Sequence, residues 1–112
     1  LSLMPEDIGE MARRIAASDD WQLAIEQTGH RDVLTLKWVA TGQSPTTDEV
    51  NRQLKAELIK HYPLIAQLQT EQLLALHIEC CSFEDLPRHP RSGKCLRVLD
   101  LRDYQHDAAE SA

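Results

Sequence analysis

Five cationic side chains fall close together near the end of the chain: Arg88, Arg91, Lys94, Arg97 and Arg102. They stand in a chain whose net charge is −6. Pro87 and Pro90 restrict the backbone that leads to Lys94. Gly93, directly before the lysine, admits conformations closed to other residues. A restricted loop ending in a compact, strongly hydrated ammonium suits an anionic, phosphate-bearing ligand. The same residues also fit a solvated basic edge strand, whose Lys and Arg discourage edge-to-edge association. On charge alone the edge strand is the more economical reading.

Other chemistry finds less support. The histidines are His30, His61, His77, His89 and His106. A zinc set drawn from His77, Cys80, Cys81 and His89 lacks the short, regular ligand pairing of structural zinc sites. On a strand, His77 and Cys80 would also point to opposite faces, so no metal site is expected. Cys80 and Cys81 read as small strand residues, one facing the core. No Ser lies in a G-x-S-x-G turn, and no G-x-x-x-x-G-K-[ST] or G-x-G-x-x-G phosphate loop occurs. Trp21 and Trp38 fall on apolar strand faces, which suits the core better than a stacking platform.

The elements that must position these residues can be read from periodicity. Pro5 suits a first helical position, and Glu6 and Asp7 favour the positive helix start. Ile8, Met11, Ala12 and Ile15 then follow one helical face, predicting a helix over 5–18. "DWQLAIEQ" switches to period two, with Trp21, Leu23 and Ile25 on one side. "TGHRD" is a turn. "VLTLKWVA" follows with Leu34, Leu36 and Trp38 aligned, which predicts an antiparallel hairpin. Thr46 and Glu49 have capping-box spacing, and Val50, Leu54 and Leu58 line a helix reaching about residue 61, before Pro63. Residues 64–70 fit a short helical turn. "EQLLALHIEC" is a third strand with Leu74, Leu76, Ile78 and Cys80 on one side, and "KCLRVLDLRD" is a fourth. The expected fold is α+β: a small αββαββ sandwich with a mostly antiparallel sheet and helices on one face.

With 112 residues, one domain is expected, large enough for a core without staples. Apolar residues at 42% and charged residues at 27% are ordinary for a globular protein. The acidic balance argues against a general nucleic-acid binder. Three cysteines, two of them adjacent, make a poor disulfide framework and suggest a reducing cytoplasm. No membrane span or signal peptide is visible. The opening "LSLMPEDIGE", without an initiator Met, reads as a piece that begins in mid-fold. "QHDAAESA", residues 105–112, reads as a polar tail.

Taken in order, these segments resemble the C-terminal domain of acyl-adenylate-forming ligases, most closely the phenylacetate-CoA ligase type. "LMPEDIGEMARRI" is similar to the opening helix of that domain, with Pro5 and Ile8 in register and Gly9 where the family usually has an acid. "DWQLAIE", "DVLTLKWV" and "VNRQLKAELIKHY" are similar to the two strands and the helix that follow. "LPRHPRSGKCLRVLDLR" carries most of the terminal run: Leu86, Pro87, Arg88, Gly93, Lys94, Arg97, Val98, Asp100 and Arg102. The resemblance covers residues 1–104. One departure is the longer loop between Leu86 and Gly93, where either Pro87-Arg88 or Pro90-Arg91 corresponds to the family's Pro-Arg.

The resemblance implies a mechanism. Such enzymes use ATP and Mg²⁺ to turn a carboxylate into an acyl-adenylate and pass the acyl group to a thiol, usually coenzyme A. Their C-terminal domain is a lid that swings between two orientations. Lys94 corresponds to the lysine that reaches carboxylate and nucleotide, with Gly93, Arg91 and Arg88 beside it on the cofactor-binding side. A positioned ammonium offsets the repulsion between carboxylate and α-phosphate and orients both. The resemblance also implies an N-terminal adenylation domain, in cis or in trans, so this chain alone would not adenylate. The rival expectation is a stand-alone, non-catalytic α+β module that binds a small ligand or a protein, as a monomer or a homodimer, with fold alone deciding nothing.

Overall fold

The computed structural model describes residues 3–86 and 97–102. Helix α1 (Pro5–Ala16) is followed by strands β1 (Trp21–Thr28) and β2 (Arg31–Val39). Helices α2 (Thr47–His61) and α3 (Leu64–Thr70) come next, then β3 (Leu74–Cys81). A 3₁₀ turn at Phe83–Asp85 precedes β4 (Val98–Asp100).

The hairpin forms where the sequence permits it. Thr28 faces Arg31, so Gly29 and His30 alone make the turn. Gly29 supplies the positive φ, +63°, that a two-residue hairpin needs. Alternation then sets one apolar face across the sheet: Leu23 faces Leu36, and Leu36 lies beside Ile78. Trp21 likewise faces Trp38, which lies beside Cys80.

The strand order is β3-β2-β1-β4. Only β1–β2 is antiparallel among the described strands, because β2–β3 and β1–β4 are parallel. The sheet is therefore mixed, not mostly antiparallel as the sequence suggests. The cause is the connection. Antiparallel neighbours need only a tight turn, whereas α2 and α3 carry the chain back before β3 begins, and such a crossover yields parallel strands.

The buried residues of all three helices share one cluster with the alternate strand residues. Ile8, Met11 and Ile15 come from α1, Leu54 and Leu58 from α2, and Ile65 from α3. Trp38, Leu36, Leu54 and Ile65 have no exposed surface. Burying each such aliphatic side chain contributes about 1.5–3 kcal/mol. The Trp38 indole N–H donates to Asn51 Oδ1 at 2.8 Å, which satisfies its polar edge and ties β2 to α2. At the other end of α2, the Tyr62 hydroxyl donates to Asp7 Oδ2 at 2.9 Å and accepts from the Met4 N–H at 3.1 Å, clamping the start of α1.

Several local expectations shift. Thr46 is the N-cap of α2 by backbone geometry alone, with no side-chain cap. Glu49, its expected capping-box partner, instead binds Arg52 and Gln53 at 2.6 Å each, one turn further on. The first helix ends at Ala16, where Ala17 turns left-handed at φ 53°. Within the described residues the fourth strand is only Val98–Asp100, because the Asp100 carboxylate accepts the Arg102 N–H at 3.1 Å and turns the chain. No helix among the described residues is long and apolar enough to cross a membrane.

Candidate functional site

Lys94, Gly93, Arg91 and Arg88, the residues singled out in the basic run, lie outside the described residues, as do His89, Cys95 and the tail. What the structure defines is the place where that run returns to the sheet. Arg97 is the first described residue after it. Its carbonyl accepts the Leu23 N–H at 2.7 Å, and its Nη1 donates to the Trp21 carbonyl at 3.0 Å. Its guanidinium also lies over the Trp21 ring, 5.2 Å from the centroid, where the ring quadrupole attracts a cation.

Sequence explains why Trp21 can hold that position. Gly9 of α1 lies against the indole, and a Cβ there would sit 3.4 Å from Trp21 Nε1. The missing side chain lets α1 lie against the ring, and Arg97 also lies over it. A shallow depression of about 380 Å³ opens beside them, lined by Glu6, Arg13 and Asp19 as well as Trp21 and Arg97. Its charges are of both signs, so its own lining does not attract anions strongly.

Arg102, at the far end of β4, is spent internally. Its Nη1 meets Asp32 Oδ2 at 2.9 Å, its Nη2 meets Asp100 Oδ2 at 3.0 Å, and its Nε meets Asp100 Oδ1 at 3.1 Å. These hydrogen bonds hold the Asp100 carboxyl below its usual value and push the Arg102 guanidinium further up. Beside the cluster lies an apolar cleft of about 180 Å³, walled by Leu3, Leu34, Leu68, Leu74 and Val98. Sequence reasoning missed Asp32 because it lies 70 positions from Arg102, with no local pattern joining them. Of the basic cluster, Arg97 and Arg102 therefore serve as anchors at opposite ends of one short strand.

The remaining candidates stay apart. His77 is exposed on one face of β3, whereas Cys80 packs against the core on the other. Burial raises the Cys81 thiol, which disfavours a reactive thiolate. Among the described residues no group of three or more His, Cys, Asp or Glu could hold a metal ion. No family model matches the chain, and no curated protein matches it.

Proposed function

We propose that this chain is the C-terminal lid domain of an acyl-adenylate-forming ligase of the phenylacetate-CoA ligase type. In this reading Lys94 serves ATP- and Mg²⁺-dependent carboxylate activation, and Gly93, Arg91 and Arg88 shape the nucleotide side of the arm. An N-terminal adenylation domain supplies the rest of the site, and coenzyme A is the acceptor. A cytoplasmic setting and a two-layer sandwich, helices over one sheet face, belong to the same reading.

The observation that carries it is the anchor at Arg97. A delivery arm needs a fixed root, and Arg97 joins β1 through its carbonyl, its guanidinium and the Trp21 ring. Lys94 precedes it by three residues in the sequence.

The test is Lys94→Ala in the intact enzyme. Adenylate formation should fall at least about 100-fold, the scale of losing one positioned charge-stabilising group. Thiol transfer from preformed adenylate should be largely spared. Equal adenylation by wild type and variant would remove Lys94 from the mechanism. The rival reading, a stand-alone binding module, draws support from the outer edge of β3, which pairs with no strand among the described residues. The coding sequence upstream of Leu1 separates the two: a long region with Ser/Thr/Gly-rich ATP loops belongs to the lid alone.

A further inference from the structure

We infer that the outer edge of β3 pairs with the same edge of a second copy of this chain, in antiparallel register about a two-fold axis at Ile78. This inference does not depend on the ligase reading.

The two sheet edges differ among the described residues: β4 has three, whereas β3 offers eight. Exposed edges are usually blunted by Lys, Pro, bulges or brevity. The sequence of β3, LALHIECC, contains no Lys, Arg, Pro or Gly. Among the described residues a hollow of about 430 Å³ runs along its flank, between Leu76–Glu79 and the side chains of Asn51, Arg52 and Lys55 on α2.

The backbone fixes the register. Asp32 pairs with Leu74, and its N–H donates to the Leu73 carbonyl at 2.9 Å. In a parallel ladder this turns the backbone groups of the odd-numbered β3 residues toward β2. The N–H and C=O groups of Leu76, Ile78 and Cys80 then face outward. An antiparallel copy centred on Ile78 would exchange both hydrogen bonds between the two Ile78 residues, and again between Leu76 and Cys80.

The side chains agree with that register. His77 would face Glu79 of the second copy, and Glu79 its His77, both in non-hydrogen-bonded pairs where side chains come closest. Both residues are exposed, and among the described residues neither makes an ion pair. The match is self-complementary, as a two-fold interface requires. On the other face, Ile78 and Cys80 are partly buried against the core, and pairing would cover them further.

Light scattering on the 112-residue chain across a concentration series tests the inference. The wild type should move from 12.7 kDa toward twice that mass. His77→Glu should weaken the dimer by on the order of tenfold, since it sets two carboxylates opposite one another twice, and Glu79→Lys should weaken it by removing the acceptor from both His77–Glu79 pairs. An equimolar mixture of the two variants should recover the dimer, because the new carboxylate at position 77 then faces the new ammonium at position 79 and the other pair is the native His77–Glu79. Hydrogen exchange gives an independent readout: the amides of Leu76, Ile78 and Cys80 should be protected at dimeric concentrations and lose that protection on dilution. A wild type that stays monomeric would overturn the inference and leave the edge to another partner. So would a dimer that neither variant weakens, or one in which those three amides exchange freely.

Discussion

At Gly9 two effects oppose each other. A glycine inside a helix costs about 1 kcal/mol relative to alanine. A methyl group added there would meet Trp21 Nε1 at 3.4 Å and Cζ2 at 3.7 Å, which is close contact without overlap. The helix gain should win. Gly9→Ala is expected to raise stability by about 0.5–1 kcal/mol in urea denaturation, and a loss would show that the indole cannot yield.

At the scale of the element, β4 depends on Asp100. Its carboxylate accepts hydrogen bonds from the Arg102 N–H, Nε and Nη2. They lower its pKa from the ordinary 3.8. A depressed folded-state pKa stabilises the fold above the unfolded value, and that stability disappears as pH falls through the folded one. Asp100→Asn should cost about 1 kcal/mol or less near neutral pH, because the charges involved are about a third exposed and screened by solvent. The difference from wild type should shrink as pH drops below about 4. Urea titrations near pH 7 and pH 3 would show it, and a constant difference would mean that the Arg102 contacts do not hold Asp100 ionised. This element also marks where the sequence stopped being legible. Period two in "CLRVLDLR" suggests a long strand, but the Asp100 side chain captures its own backbone two residues on and ends it.

For the whole molecule, sixteen of the buried described residues, from Ile8 to Leu76, form one cluster that includes both tryptophans. Unfolding should therefore be a single transition, with far-UV circular dichroism and tryptophan fluorescence coinciding in urea. Separated transitions would mean that the core divides. Helices and strand faces were legible because each is set by local periodicity: Ile8, Met11 and Ile15 declare a helix, and Leu34, Leu36 and Trp38 declare a strand. Strand order was not, because it depends on how far a connection carries the chain. Nothing near Leu74 announces that β3 will run parallel to β2. The candidate site was legible as a cluster of charge but not as a division of labour. Arg97 and Arg102 look equivalent to Lys94 in the sequence, yet each is engaged by partners far away in the chain, Trp21 and Asp32.

The core cluster ends at Leu76, and β4 joins β1 through three residue pairs, with Val98 41% exposed. Native proteins open in parts, and segments with few buried contacts open at the lowest free energy. Among the described residues β4 is therefore the part of the sheet expected to open first, and its amides should exchange faster than those of β1 and β2 in native-state hydrogen exchange.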